Sequence, residues 1–213
     1  MKISPLIIVH KIYFYVILFA LSFSFQAHSA PTNRILILGD SISAGYGLPQ
    51  GKGWVSLLKE SLRISNYSFE ITNASISGDT TAGGKQRLGK LIDQYQPNIL
   101  IIELGANDAL RGFPIEMSAK NLEAMMQLAQ KNNVKIMLLG MKVPTNYGQD
   151  YTQKFSQMFV TEAKKSNASL VPFLLEGMAT RKELFQEDGI HPNEQAQTIL
   201  LKNVLPQLRT LLH

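Results

Sequence analysis

The stretch Ile35-Leu36-Ile37-Leu38-Gly39-Asp40-Ser41-Ile42-Ser43-Ala44-Gly45-Tyr46-Gly47 decides how this chain is read. Four consecutive apolar residues have the length and character of a short strand buried on both faces. The run stops at Gly39, and the chain delivers Asp40 and Ser41 into a glycine-rich turn. A serine at the carboxyl end of a buried first strand lies where open α/β sheets bind ligands. It becomes a nucleophile only when a base, an orienting acid and an oxyanion site come from elsewhere in the sequence.

The 213 residues carry a formal charge of +5, of which Lys2 and Lys11 lie in an amino-terminal leader. The remaining charge is too small to argue for nucleic acid, and a basic patch interleaved with aromatics is missing. The chain has no cysteine. That removes disulfides, thiolate catalysis, cysteine metal ligands and a lipid-anchored cysteine. Lys2, His10 and Lys11 precede the 14-residue apolar run Ile12–Phe25, and Ala27, His28, Ser29 and Ala30 follow. The run is short for a transmembrane helix. The pattern reads as a secretory signal peptide over residues 1–29, cleaved after Ser29 or Ala30. The other reading is an uncleaved anchor, and either one places the domain outside the cytoplasm. Residues 30–213 are then a single domain with room for a sizeable core.

Outward from the first stretch, apolar runs alternate with helical periodicity. Strands are expected at Arg34–Leu38, at Tyr67–Ile71 running on to Ala74, at Asn98–Leu104, at Val134–Leu139 and at Ser169–Phe173. Helices are expected at Trp54–Ile64, Leu88–Tyr95, Ile115–Asn132 and Tyr151–Lys165. A last helix follows Asp188-Gly189-Ile190-His191-Pro192-Asn193, with Pro192 suited to its first turn. Ser75–Gly84 reads as a small-residue turn, Gly105–Gly112 and Met141–Asp150 as loops, and Leu174–Glu187 as irregular or short-helical. The alternation argues for a parallel sheet covered on both faces. Five strands in a doubly wound, flavodoxin-like sheet is the expected fold, with the order 2-1-3-4-5 adopted by analogy.

The parts a serine nucleophile needs can then be sought. Of four histidines, His10 and His28 fall in the leader and His213 ends the chain, so His191 is the one credible base. Asp188, three residues earlier, is close enough to fold back onto its ring. Gly78, after strand two, could offer a backbone N–H, and Asn107, after strand three, a side-chain N–H; the Ser41 N–H would be a third donor. As isolated residues, Gly78 and Asn107 also suit ordinary turns. All these segments follow expected strands, so a parallel sheet would gather them at one edge. Two other motifs fail. Gly78–Lys85 has its lysine one residue late for a phosphate loop, and Ser43 stands where the Gly-x-Ser-x-Gly elbow needs glycine. One internal histidine without cysteine argues against a catalytic metal. Leu110, Phe113, Met141, Val143, Pro144 and Tyr147 could line an acyl groove, or simply pack their loops onto the sheet.

Gly39-Asp40-Ser41, Gly78, Gly105-x-Asn107-Asp108 and Asp188-x-x-His191-Pro192 occur in an order that resembles the SGNH (GDSL-like) hydrolase superfamily. The likeness extends through Asn73–Thr80, Asn107–Phe113, Pro144–Gly148 and Asp188–Asn193, and spans most of the chain after the leader. It implies a three-layer α/β/α sandwich with a five-stranded parallel sheet. Ser41 is implied as nucleophile, His191 as base, Asp188 as its partner, and Ser41, Gly78 and Asn107 as oxyanion donors, with no cofactor. The implied substrates are small-molecule esters and thioesters, lysophospholipids and fatty-acyl, acyl-CoA and aryl esters among them. A monomer in the periplasm or secreted, touching membrane lipid transiently, is expected. A deacetylase with a small acyl pocket and a non-catalytic lipid- or glycan-binding module are the alternatives.

Overall fold

Strand β1, Asn33–Gly39, is flanked on both sides. It pairs in parallel with β2, Phe69–Asn73, and with β3, Ile99–Glu103. A computed structural model describes residues 33–65 and 67–212; the leader reading falls on residues outside these. β4, Lys135–Leu139, adds to β3, and β5, Ser169–Val171, adds to β4, both in parallel. The sheet order is β2-β1-β3-β4-β5, the expected one. Ile35, Leu36, Ile37 and Leu38 of β1 and Ile99 through Ile102 of β3 are buried, as strands covered on both faces require.

The helices are α1, Ser41–Ala44; α2, Trp54–Ile64; α3, Thr81–Tyr95; α4, Ala106–Leu110; α5, Ile115–Lys131; α6, Gln149–Lys165; and α7, Gln197–Arg209. α2 packs on α7 in one layer, and α3, α5 and α6 pack in sequence in the other. Trp54, Val55, Leu58 and Leu62 form the buried stripe of α2, and Leu122, Met125, Met126 and Ala129 that of α5. Among the described residues no helix is long and apolar enough to cross a membrane.

Several expectations move: residues 106–110, inside the expected loop, form α4, and β5 ends at Val171 rather than Phe173. α3 begins at Thr81, seven residues before the expected start, with Thr80 as its cap accepting from the Gly83 N–H. Gly83 and Gly84 argue against a helix by propensity, yet packing requires glycine at 84. A Cβ there would run into Leu104 and press on Met125 and Leu38, all in the core. Pro192 does not open α7. It pairs with Phe185 in an isolated antiparallel bridge, and a 3₁₀ turn at Glu194–Ala196 precedes the helix. Asn193 caps that turn, accepting from the Gln195 and Ala196 N–H groups.

The β4 end is equally tight. Gly140 donates to the Val171 carbonyl and accepts from the Leu174 N–H, each at 2.8 Å. A Cβ at 140 would lie 3.1 Å from the Val171 oxygen, 3.0 Å from the Pro172 carbonyl carbon and closer still to the Pro172 oxygen. These are backbone atoms and cannot step aside. Gly140→Ala is expected to cost about 1–3 kcal/mol, read as a lower urea midpoint at unchanged slope. A midpoint equal to wild type would show that this crossing has slack.

Candidate active site

The carboxyl ends of β1, β2 and β3 bring the candidate residues to one edge. Ser41 opens α1 directly after β1, and Asp40 caps it, its Oδ1 accepting from the Ile42 N–H at 3.0 Å. The turn closes at Gly45, whose φ of 75° suits glycine. Asn73, ending β2, donates from Nδ2 to the Ser43 carbonyl at 2.7 Å, so the serine turn is held by its neighbouring strand.

His191 and Asp188 arrive from the other end of the chain. Gln186 and His191 are joined by a 2.8 Å backbone bond beside the Phe185–Pro192 bridge, which folds residues 186–191 into a tight loop. Within it, Asp188 Oδ1 accepts from the Ile190 and His191 N–H groups at 2.8 and 2.9 Å. Asp188 Oδ2 lies 2.6 Å from His191 Nδ1, and His191 Nε2 lies 2.9 Å from Ser41 Oγ. A ring that donates from Nδ1 to the carboxylate leaves Nε2 as acceptor for the serine hydroxyl. Burial alone would raise the Asp188 carboxyl. The His191 N–H and ring, the Ile190 N–H and the imidazole charge instead hold it at about 2. Gln197 anchors the loop from below. It is buried, donates to the Pro192 and Asn193 carbonyls and accepts from the Trp54 N–H at 3.0 Å. The Tyr46 ring, tilted 42° at 4.6 Å, covers one side of His191.

The loops after β2 and β3 are tied together. Gly78 has a φ of 79°, and its carbonyl accepts from Arg111 Nη2 at 2.9 Å. Arg87 pairs with Asp79 at 2.7 Å and also donates to the Ala74 carbonyl. Asn107, in α4, donates from Nδ2 to Asp40 Oδ2 at 3.1 Å. The next residue, Asp108, is buried and accepts from the Thr81 N–H and hydroxyl and from the Ser118 hydroxyl; Asn121 donates to the Thr81 hydroxyl. A fully bonded buried network of this kind fixes the loop that carries Asn107. Among the described residues no group of three or more His, Asp or Glu could hold a metal.

Of the proposed acyl contacts, Leu110 and Tyr147 are exposed at 44% and 38%, Pro144 is exposed and Phe113 half-buried. Met141 and Val143 are buried and belong to the core cluster. Tyr147 stacks on Tyr151, Tyr151 on Phe155, and the Tyr151 hydroxyl donates to the Phe113 carbonyl at 3.3 Å. Sequence reading missed Glu103, the single charged residue of an apolar strand. It also assigned no task to Arg111 or to the Arg87–Asp79 pair.

A sequence model of the GDSL-like lipase/acylhydrolase family matches residues 37–199. The chain is 44% identical over 183 residues to esterase TesA of Pseudomonas aeruginosa, covering 86% of this chain and 91% of that protein. It is 37% identical over 196 residues to thioesterase 1/protease 1/lysophospholipase L1 of Escherichia coli K12, covering 92% of each. The crystal structure of the psychrotrophic esterase EstA from Pseudoalteromonas, inhibited by monoethylphosphonate, superimposes with a TM-score of 0.80 at 39% identity, covering 84% of this chain and 97% of that one. On the family match over residues 37–199 and these identities, the chain belongs to the GDSL-like lipase/acylhydrolase family and is an ester hydrolase.

Proposed function

We propose that this hydrolase cleaves fatty-acyl, lysophospholipid and aryl esters and acyl thioesters through an acyl-enzyme on Ser41. The bonded series from Asp188 through His191 to Ser41, at 2.6 and 2.9 Å, carries the reading. Ser41 Oγ attacks the carbonyl carbon as its proton passes to His191 Nε2. Asp188, charged and fixed by two backbone N–H groups, holds the ring and stabilises the imidazolium that forms. The oxyanion is met by the N–H groups of Ser41 and Gly78 and by the Asn107 amide. His191 then returns the proton to the leaving alkoxide or thiolate. A water attacks the acyl-serine, giving up its proton to the same nitrogen, and the acid departs with the serine hydroxyl restored.

Leu110, Phe113, Pro144 and Tyr147 supply the acyl contacts. Support comes from the exposed Leu110 on the helix that carries Asn107, and from the Tyr147–Tyr151 stack that braces the facing loop. No cofactor enters this chemistry. One chain supplies every group, so a monomer suffices. With the leader removed, the enzyme works in the periplasm or outside the cell and meets membrane-derived lipids there.

Hydrolysis of p-nitrophenyl esters from acetyl to palmitoyl, with matched acyl-CoA and lysophospholipid assays, tests the reading. A preference for medium or long acyl chains is expected; turnover confined to acetyl esters would make the enzyme a deacetylase. Ser41→Ala and His191→Ala are each expected to lower kcat by at least about 10⁴-fold. Folded Ser41→Ala with undiminished turnover would overturn the mechanism. Asn107→Ala removes one oxyanion donor and should cost roughly 10²–10³ in kcat, whereas loss confined to KM would make Asn107 a binding residue.

The acid side of the pH profile gives a separate test. Asp188 is depressed, so its contribution is present above the ordinary carboxylate range and lost only as pH falls towards about 2. The acid limb of kcat/KM therefore belongs to another group. Asp188→Asn is expected to lower kcat by about 10⁴ without removing that limb; a limb that vanishes with the carboxylate would refute this assignment.

A further inference from the structure

The end of β3 holds a group to which acyl transfer assigns no task. Glu103 is completely buried. Its Oε2 accepts from Ser43 Oγ at 2.8 Å and, at a long 3.3 Å, from the Asp40 N–H. Its Oε1 is buried with no hydrogen-bond partner. The carboxyl group of Asp40, 1% exposed, lies within hydrogen-bonding reach of it. Two ionised carboxylates here would be two acceptors facing each other without a donor. The arrangement is satisfied when Glu103 is a carboxylic acid.

We propose that Asp40 and Glu103 hold one proton between them, carried by Glu103, and that Asp40, kept as the anion, is a positioning residue aiming the Asn107 amide at the reacting carbonyl oxygen. This rests on the reading of Asn107 as an oxyanion donor. Asp40 Oδ2 takes one hydrogen of Asn107 Nδ2, at 3.1 Å. The second hydrogen, fixed in the amide plane, is left for substrate. Asp40 Oδ1 meanwhile fixes the Ile42 N–H, one residue beyond the nucleophile. One carboxylate thus sets Ser41 and Asn107 in a common frame, and Glu103 sets that carboxylate.

The surrounding charges agree. Burial first, and then the Asp40 charge, hold Glu103 well above the usual carboxylate range. Burial also pushes Asp40 up to about 6, against the Ile42 N–H, Glu103, the His191 charge and Asn107, which draw it down. His191 faces Asp40 across Ser41. From α4, Asp108 is engaged by Thr81 and Ser118, and Arg111 is engaged by the Gly78 carbonyl; from α3, Arg87 is engaged by Asp79. Both carboxyl groups titrate higher folded than unfolded, so their protonated forms favour folding. That contribution is present below the unfolded values and is lost as pH rises through the folded ones. Between about 6 and the higher value of Glu103, the pair carries a single proton.

Infrared spectra of the wild-type protein at neutral pH should contain the carbonyl stretch of a protonated, buried carboxylic acid, and Glu103→Gln should lack it. Glu103→Ala is expected to lower kcat roughly 10–100-fold with little change in KM, since one oxyanion donor is misaligned rather than lost. Glu103→Gln keeps an acceptor oxygen and an uncharged donor group and should recover most of that loss. Deprotonation of Glu103 should lower wild-type kcat at alkaline pH, and Glu103→Gln should shift or remove that decline, which a purely space-filling role would leave in place. Absence of the band, or a glutamine variant as poor as alanine with the wild-type alkaline limb, would overturn the proposal. If Glu103→Ala does not fold, the band and the pH profile of Glu103→Gln decide. Absence of Ser41-dependent turnover would defeat the acyl-enzyme reading, while the band would still report on the pair.

Discussion

The end of β1 has no room for a side chain. A Cβ on Gly39 would lie 2.7 Å from the Ser43 Cβ and 2.8 Å from Glu103 Oε2, both on groups buried by the sheet. The close approach lets α1 fold back onto the strand that it leaves, with Ser43 under the turn and Ser41 at its start. The inner position of β1, paired on both sides, makes this crossing rigid. A larger residue would push α1 away from Glu103 and carry the Ser41 hydroxyl out of line with His191. The precision of the 2.9 Å contact between residues 150 positions apart therefore begins with the missing Cβ.

Much of this was legible because sheet and site obey different but compatible rules. Apolar runs of four or five residues separated by helical periodicity specify parallel strands, and a parallel sheet sends each following loop to one edge. That is why Ser41, Asn107 and the Asp188/His191 loop could be placed together before any distance was known. What escaped were features set by tertiary contact. The first two turns of α3 contain Gly83 and Gly84, so local propensity reads them as a turn; the demand for a small residue against Leu104 is invisible until the layers are stacked. Pro192 suits a helix start by its own geometry, but the Phe185 bridge and the Asn193 cap claim that segment first. Glu103 drew no notice at the end of an apolar strand. Its meaning depends on Asp40, 63 residues away.

The site divides its polar groups by depth. Asp188 sits near the surface, with its side chain 36% exposed, and water moderates its charge. It owes its fixed position to two backbone N–H groups and to a loop pinned by Gln197. The Asp108 network is buried and works by complete satisfaction: each hydroxyl and amide that faces it has a partner, so α3, α4 and α5 meet in one register. Surface charge and buried network therefore position their neighbours by different means. One uses short bonds in a loop that can be rebuilt locally, the other a set of contacts that cannot be changed singly.

The sign of the buried charge raises a final point. In the proposed acyl transfer an oxyanion forms beside Ser41, and Asp40, 1% exposed, is the carboxylate immediately before it. Field strength in such a place favours as few negative charges as the geometry allows. In the proposed reaction the Asn107 amide would lie between Asp40 and the oxyanion, one hydrogen held by Asp40 and the other left for substrate. A second negative charge on Glu103 would offer no comparable bond, since its Oε1 meets no donor. It would add only repulsion against the developing oxyanion. Keeping Glu103 neutral thus removes a charge opposed to the transition state while preserving the Ser43 and Asp40 contacts that hold the serine turn in place.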